Sequence, residues 1–170
     1  MKVLDCHMSY GATNNGKPYR NCDTFEQLCS SMGKAGIDGG ILRCGYSSTV
    51  GVVYGNEKVA RDMVSEQGSQ FQLWGAWAIL PPYTNEIASP KELPALMRKN
   101  RIAALYLDPA AHRYVPNKVS IGPYLAIAEE CRIPVILNTC YGLTMEQIGN
   151  IMEWYPDMVA IVGDTDSWPN

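Results

Sequence analysis

Several features that would assign the chain to a common class are missing from its sequence. No apolar run approaches the roughly 20 residues that a helix needs to cross a bilayer. Residues 1–8 hold a single Lys and run into Asp5 rather than into a leader pattern. Lys and Arg total 14 against 17 Asp and Glu, a formal charge of −3, and no basic block is present. We therefore expect a cytoplasmic protein that binds neither membrane nor nucleic acid.

Paired cysteines are missing too. None of the six cysteines belongs to a C-x-x-C pair, which argues against a zinc ribbon or a thioredoxin-like site. Without an export signal, reduced thiols are expected, and most are predicted to be buried and inert. Glycine-rich segments at 36–40 and 45–51 have neither a Walker lysine nor the strand–G-x-G-x-x-G–helix context, so a phosphate-binding loop is not indicated.

What the sequence does contain is a regular alternation of short apolar runs with segments of helical periodicity. Runs that are apolar on both faces are typical of parallel strands covered by helices. Six strands are predicted, at residues 3–8, 39–43, 71–80, 102–107, 134–137 and 159–162. Alternation of this kind predicts an α/β fold with a parallel sheet and right-handed crossovers. With no linker or composition break, residues 1–170 are predicted to form one domain.

The number of units leaves two architectures open. A closed (β/α)8 TIM barrel usually needs about 250 residues, and six units are fewer than its eight. The pattern therefore predicts either a partial or shortened TIM-barrel-like fold or an open, doubly wound sheet. Six strands would leave the edges of the first and last strand open. Truncation of a longer chain, closure by oligomerisation and a flattened open sheet each explain this, and a homo-oligomer is the expected state.

Five intervening helices are predicted from caps and prolines at their starts. These starts are Asp23 with Glu26, Asn56, Ser89 with Pro90, Pro123, and Thr144 with Gln147. Gly36 and Gly68 are predicted to end the first two helices. Pro94 conflicts with the third helix, because an interior proline loses a backbone hydrogen bond.

Polar side chains follow the strands at the edge where ligands bind in both architectures, the C-terminal ends of the strands. Both histidines of the chain fall on this edge. The candidates in strand order are Asp5, His7 and Ser9; Arg43 and Cys44; Asp108, His112 and Arg113; Asn138, Thr139 and Cys140; Asp164 and Asp166.

These residues are compatible with more than one kind of site. His7, Asp164 and Asp166 are ligand types for zinc or manganese. A hydrogen bond at a strand end explains His7 more simply, and an Asx-type turn does the same for the two aspartates. Cys44 or Cys140 is a conceivable nucleophile with His7 as its base. Four aromatic residues can line a pocket or simply pack, namely Tyr46, Trp77, Tyr83 and Tyr106.

The order of the segments resembles the amidohydrolase-related family, in the branch that includes aminocarboxymuconate-semialdehyde decarboxylase-like enzymes. DCHMSYG at 5–11 is similar to the family's opening D-x-H-x-H-x-G. YLAIAEECRIPVILNTCYG is similar to its helix followed by P-V-x-x-H-T-G. WYPDMVAIVGDTDSWPN is similar to its later strand followed by H-x-G-G-x-W-P. The segments GIDGGILRCG, FQLWGAWAILPP and IAALYLDPAAHRYVPN resemble the second, third and fourth strands.

The resemblance implies a (β/α)8 barrel with one or two metal ions at its C-terminal face, and hydrolysis or non-oxidative decarboxylation. His7 stands at the first histidine of the opening motif, and Ser9 stands at the second. Asn138 occupies the place of the strand-five histidine. The strand-six histidine is absent, with Asp164 nearest to it, and the family's late aspartate belongs to a strand eight that this chain does not contain.

We therefore predict a hydrolase or decarboxylase of the amidohydrolase type that acts on a small organic substrate. The alternatives are a catalytically inactive relative that binds a small molecule or a partner chain, and a cysteine-dependent enzyme. The candidate site residues are Asp164, Asn138 and Arg43 for catalysis, Trp77, Tyr106 and His112 for substrate binding, and His7 with Asp164 for one zinc or manganese ion if a metal is bound.

Overall fold

Six strands alternate with helices in the computed structural model, which describes residues 1–12, 22–66 and 70–163. The strands are parallel, and their order in the sheet follows the sequence. This confirms the predicted parallel α/β class, and every strand end lies within two residues of its predicted position. The strands are β1 Leu4–Tyr10, β2 Gly39–Cys44, β3 Gln72–Ala78, β4 Ile102–Tyr106, β5 Val135–Asn138 and β6 Ala160–Gly163.

The five predicted helices are present, and two short ones are added. The helices are α1 Phe25–Ala35, α2 Tyr46–Thr49, α3 Val52–Ser65, α4 Leu93–Lys99, α5 Pro109–His112, α6 Gly122–Glu130 and α7 Met145–Trp154. The short ones, α2 and α5, are single turns, too brief to leave a periodic apolar pattern in the sequence. Within the described part of the chain, no helix is long and apolar enough to cross a membrane.

Local capping chemistry fixes the ends of two helices as predicted. The Thr144 hydroxyl accepts a hydrogen bond from the Gln147 backbone N–H at 3.1 Å, and the Gln147 side chain accepts from the Thr144 N–H at 2.9 Å. This reciprocal pair is the predicted capping box of α7. Gly36 ends α1 in the left-handed conformation, with φ at 69°.

The predicted start of α1 is wrong by one residue. The capping box is formed by Thr24 and Gln27, not by Asp23 and Glu26. Two overlapping boxes, D-x-x-E and T-x-x-Q, are present in the sequence, so the local pattern does not choose between them. The observed box makes the buried Phe25 the first residue of the helix.

Two further helix starts differ from the prediction. Asn56 does not cap α3: it lies inside that helix, which begins at Val52, because the buried face extends back to this valine. Ser89 and Pro90 do not start α4, which begins at Leu93. Pro94 is therefore the second residue of the helix and does not interrupt it. A first-turn N–H has no partner inside the helix, so its loss there costs nothing. The predicted end of α3 near Gly68 falls outside the described residues.

The chain divides into two compact units. Unit 1 comprises Met1–Trp77 and Met97–Ala103, and unit 2 comprises Ala78–Leu96 and Ala104–Asn170. In unit 1 the core lies between the strands and helices α1 and α3, where Phe25, Met32 and Met63 are buried. In unit 2 the last three residues of β4 and all four residues of β5 are buried. The prediction of a single domain over residues 1–170 stays a prediction.

Glycines at the start of β2 allow neighbouring backbone to approach closely in unit 1. Strand β1 pairs with β2 in parallel, with Leu4 opposite Gly39 and Asp5 opposite Gly40. A Cβ on Gly40 would lie 1.8 Å from the Asp5 carbonyl oxygen, and φ at this residue is 151°. A side chain cannot occupy that space, so glycine permits the pairing that positions β1.

Replacement of two helical glycines by alanine should change the free energy of unfolding in opposite directions. A Cβ on Gly55 of α3 would lie 2.3 Å from the Ser47 backbone nitrogen of α2. Gly55→Ala should therefore lower the free energy of unfolding by about 1–3 kcal/mol through overpacking. Nothing lies within 4 Å of the corresponding position at Gly149 of α7, so Gly149→Ala should raise it by about 0.5–1 kcal/mol. Urea denaturation measures both, and equal shifts of the same sign would contradict the contact between α2 and α3.

Candidate functional site

The strand ends of unit 1 bring two predicted site residues side by side. Ser9 of β1 lies opposite Arg43 of β2 in the parallel register, so their side chains emerge on the same face. Arg43 is only 3% exposed. His7 is half-buried, and its backbone N–H donates to the Asp5 carboxylate at 2.9 Å. This bond lies where the register between β1 and β2 shifts, between Asp5 and Met8.

The next residue of each strand points to the other face, which α1 and α3 cover. Tyr10 lies opposite Cys44, and its ring meets Phe25 of α1 edge-on at a centroid distance of 5.5 Å. The Tyr10 hydroxyl donates to the Asp62 carboxylate of α3. Lys58 pairs with the same carboxylate at 3.0 Å.

The polar group formed by Tyr10, Asp62 and Lys58 had no signal in the sequence, because the tyrosine and the aspartate are 52 residues apart. Burial and the hydrogen bond to Asp62 raise the pKa of Tyr10 above its ordinary value, so the hydroxyl remains a donor. The Tyr10 hydroxyl and the Lys58 ammonium thus share the Asp62 carboxylate as their polar partner. This group therefore accounts for the attachment of β1 to α3.

Trp77 lies near the end of β3, and its indole N–H donates to the Asn56 carbonyl of α3 at 2.9 Å. The bond satisfies the one polar atom of a largely buried side chain. Packing on α3 explains the burial of Trp77 without a ligand. Its predicted role in substrate binding stays a prediction.

The cysteines differ from the prediction that most are buried. None of the six, all of which lie in the described part of the chain, forms a disulfide bond. Cys44 alone is buried, whereas Cys6, Cys131 and Cys140 are exposed. Several of them sit on the outward face of their element, which the apolar character of cysteine does not reveal. Burial raises the pKa of the Cys44 thiol, which disfavours the thiolate that a nucleophile needs.

The strand ends of unit 2 place a second group of predicted residues together. Tyr106 of β4 lies opposite Ile136 of β5. Asp108 follows the end of β4 by two residues, and Asn138 is the last residue of β5. Both are buried, Asp108 at 4% and Asn138 at 0% exposure.

Each of these two side chains shapes the loop that follows it. Asp108 caps α5, its carboxylate accepting from the Ala111 N–H at 3.2 Å. Asn138 caps the single 3-10 turn Thr139–Tyr141, its side-chain oxygen accepting from the Cys140 N–H at 2.8 Å. The sequence predicted that both residues lie at strand ends. It did not indicate how the Asn138 amide is oriented, because the orientation depends on the turn that Asn138 caps.

The Asn138 amide is satisfied on one side only. Because the Cys140 N–H must face an acceptor, the oxygen Oδ1 is fixed toward it and the nitrogen Nδ2 points elsewhere. Nδ2 is buried and has no hydrogen-bond partner among the described residues. A buried donor without a partner costs about 1–3 kcal/mol, so native proteins retain few of them.

Aromatic side chains surround this part of unit 2. The rings of Tyr106 and Tyr141 lie 6.0 Å apart between centroids, and both are buried. Burial raises the pKa of Tyr114, and the Asp108 carboxylate raises it further, so its hydroxyl stays protonated. The predicted substrate-binding residue Tyr106 is buried at the end of β4, and its role in substrate binding stays a prediction.

The loops after β4 and β5 touch each other. Gly142 follows the 3-10 turn at φ 87°, and a Cβ there would lie 2.6 Å from the Cβ of Ala110 in α5. His112 ends α5, half-buried, with its backbone N–H donating to the Asp108 carbonyl at 3.1 Å. The two loops therefore form one surface next to Asp108 and Asn138.

The described residues do not form a metal centre. No group of three or more His, Cys, Asp or Glu side chains that could hold a metal ion occurs within residues 1–12, 22–66 and 70–163, whereas a catalytic zinc normally takes about three protein ligands. Asp164 and Asp166 lie outside these ranges. The predicted zinc or manganese site of His7 and Asp164 stays a prediction.

Two solved structures share the fold. One is the crystal structure of a probable 2-pyrone-4,6-dicarboxylic acid hydrolase from Acinetobacter baumannii with citric acid bound. It has a TM-score of 0.66 and 12% identity, over 95% of this chain and 58% of that one. The other is amidohydrolase 2 from Bifidobacterium longum subsp. infantis, with a TM-score of 0.55 and 15% identity, over 95% of this chain and 60% of that one.

These comparisons confirm the partial TIM-barrel-like α/β fold and the resemblance to amidohydrolase proteins at the level of the fold. The chain spans less than two thirds of the length of either neighbour. No protein-family model matches the sequence, and no curated protein matches it by sequence. The aminocarboxymuconate-semialdehyde decarboxylase-like branch stays a prediction.

The thiols should differ in reactivity as their burial differs. Alkylation of the native protein with iodoacetamide at neutral pH should modify Cys6, Cys131 and Cys140 first and Cys44 last, because burial both shields Cys44 and raises its pKa. Peptide mass spectrometry over a time course gives the order, with the urea-unfolded chain as the control in which all six react alike. Rapid labelling of Cys44 in the folded chain would contradict this expectation and would support Cys44 as a nucleophile.

Proposed function

We propose that the chain is an amidohydrolase-type hydrolase that acts on a small organic acid at the C-terminal ends of its strands. The observation that carries the proposal is the buried arginine at the end of β2, in the part of the fold where ligands bind. A guanidinium is always charged and matches a carboxylate with two parallel hydrogen bonds. Arg43 is therefore assigned to the substrate carboxylate.

The neighbours' names agree with this substrate class. One is described as a hydrolase of 2-pyrone-4,6-dicarboxylic acid, and its crystal structure holds citric acid, so both compounds named with it are polycarboxylates. The other is described as an amidohydrolase. Since both share only the fold with this chain, they suggest the reaction to be tested first and do not decide it.

Orientation of the substrate is the contribution that Arg43 would make to hydrolysis at this edge. In the overall reaction the oxygen of a water molecule bonds to a carbonyl carbon and gives up a proton, the bond from that carbon to the leaving oxygen or nitrogen breaks, and the leaving atom takes up that proton. Arg43 would hold the carboxylate and so place the carbonyl for attack, and such positioning lowers the barrier by removing orientational freedom beforehand. Decarboxylation of the same acid is the second reaction to be tested.

A second candidate function is binding without catalysis. Ser9 and Asn138 stand where the resemblance implies histidine ligands, and neither side chain is a strong metal ligand. A relative that kept the carboxylate site but lost its chemistry would bind citrate and turn over nothing. Binding and turnover therefore have to be measured separately.

Replacement of the buried cation should weaken binding of carboxylates. Arg43→Met should lower the affinity for citrate and for 2-pyrone-4,6-dicarboxylate about 10- to 100-fold, because a hydrogen bond to a charged group contributes about 1.5–3 kcal/mol. Calorimetry measures the binding, and loss of pyrone absorbance or release of carbon dioxide measures turnover.

Two variants control this experiment. Arg98→Met removes an exposed arginine of α4 and should leave binding unchanged. Arg43→Lys keeps the charge and should retain part of the affinity, which guards against a loss caused only by misfolding. Citrate binding without turnover by the parent chain would favour the non-catalytic function, and equal affinity in Arg43→Met would refute the carboxylate site.

A further inference from the structure

We infer that Asp62 of α3 is a positioning residue: through the Tyr10 hydroxyl it sets the register of β1 that places Ser9 opposite Arg43. The consequence for ligand binding rests on the proposed function, because it concerns the guanidinium assigned to the substrate carboxylate. The register itself can be measured without a ligand. All four residues lie in unit 1.

The pairing of β1 with β2 does not fix this register firmly. β1 is the first strand of the sheet, and within the described ranges it has one neighbouring strand, β2, and one isolated bridge, from Tyr10 to Cys22. The register shifts between Asp5 and Met8, where three residue steps of β1 span two steps of β2. At this shift the His7 N–H donates to the Asp5 carboxylate. Three residue pairs beyond the shift hold the C-terminal half of β1 on β2.

The apolar pattern of β1 does not select the register either. Met8 and Tyr10 are both buried, and alternate residues of a strand share a face. A shift by two residues therefore keeps every side chain on its face. It would bring Met8 into the place of Tyr10, and His7 into the place of Ser9. Burial tolerates this shift, although it would change the side chain opposite Arg43.

Asp62 distinguishes Tyr10 from Met8. Its carboxylate accepts a hydrogen bond from the Tyr10 hydroxyl, and the Lys58 ammonium pairs with the same carboxylate at 3.0 Å. The thioether of Met8 has no donor, so the shifted strand would leave the carboxylate without this bond. A polar contact inside an otherwise apolar interface is a well-attested means of fixing register.

The backbone of Tyr10 carries the position of its side chain to β2. The Tyr10 carbonyl accepts from the Gly45 N–H at 2.7 Å, and Tyr10 stands opposite Cys44. The preceding pair is Ser9 with Arg43. A hydrogen bond to a charged group should favour the observed register about 10- to 100-fold over the shifted one. The surroundings of the guanidinium thus depend on a bond made on the opposite face.

Hydrogen exchange of two backbone amides, followed by NMR in the full chain, tests the inference. The Gly45 N–H reports on the end of β1, and the Gly75 N–H, which donates to the Arg101 carbonyl at 2.9 Å, reports on unit 1 away from β1. Tyr10→Phe keeps the ring and removes the donor, so exchange at Gly45 should accelerate at least about 10-fold more than exchange at Gly75. A contact that only stabilises the fold would accelerate both amides by the same factor.

Three variants of α3 extend the test. Asp62→Leu removes the acceptor and should repeat the effect of Tyr10→Phe, and the double variant should add little, because both changes remove the same bond. Asp62→Asn keeps an oxygen that can accept from the hydroxyl and should restore most of the protection of Gly45. Glu57→Leu is the matched control, since it removes an exposed carboxylate of the same helix that faces Arg61 at 4.0 Å.

Citrate titration of the same variants separates this inference from the proposed function. Tyr10→Phe and Asp62→Leu should bind citrate about 10-fold more weakly than the parent, and Asp62→Asn should recover most of the affinity. Equal acceleration at Gly45 and Gly75, or none at Gly45, would overturn the role of Asp62 in the register. Selective acceleration at Gly45 with unchanged citrate affinity would overturn its link to Arg43. Selective acceleration in a chain whose parent binds no citrate would refute the carboxylate site and support the register role.

Discussion

The alternation of side chains along a parallel strand is the constraint on which the rest of this structure depends. Successive residues emerge on opposite faces, so two neighbours in the sequence have different surroundings. Arg43 shares a face with Ser9, whereas Cys44 shares the opposite face with Tyr10 and lies under helices. The thiol is therefore a core side chain with a raised pKa, and the guanidinium beside it in sequence emerges on the opposite face at the end of β2.

Satisfaction of polar groups separates the structural contacts from the candidate functional ones. On the helix-covered face of unit 1, the hydroxyl of Tyr10 and the ammonium of Lys58 both meet the Asp62 carboxylate. In unit 2 the side-chain oxygen of Asn138 accepts from the Cys140 N–H, whereas its nitrogen has no hydrogen-bond partner among the described residues.

Much of the fold could be predicted from the sequence, because its signals are local. Strands buried on both faces leave continuous apolar runs, and the capping box of Thr144 and Gln147 spans only four residues. At the start of α1 two capping boxes were possible, and the observed one makes the buried Phe25 the first residue of the helix. Burial depends on tertiary contacts, which a local pattern does not contain. The early start of α3, with Asn56 inside the helix, has the same origin.

The candidate site could be predicted only in part. The sequence placed Arg43 and Asn138 at strand ends, since the edge rule needs nothing more than strand order. It did not reveal that Tyr10 meets Asp62, which is distant in sequence, or that Trp77 donates to the backbone of α3. Nor did it reveal the orientation of the Asn138 amide, because hydrogen bonds of a side chain depend on the loop that folds over it.

We propose that ligands bind at the C-terminal ends of the strands through buried polar side chains. A crystal structure of the chain soaked with 2-pyrone-4,6-dicarboxylate would locate the ligand. A ring carboxylate is expected within hydrogen-bond distance of the Arg43 guanidinium. A pyrone bound against the exposed surfaces of the helices, with Arg43 making no contact to it, would refute binding at the strand ends.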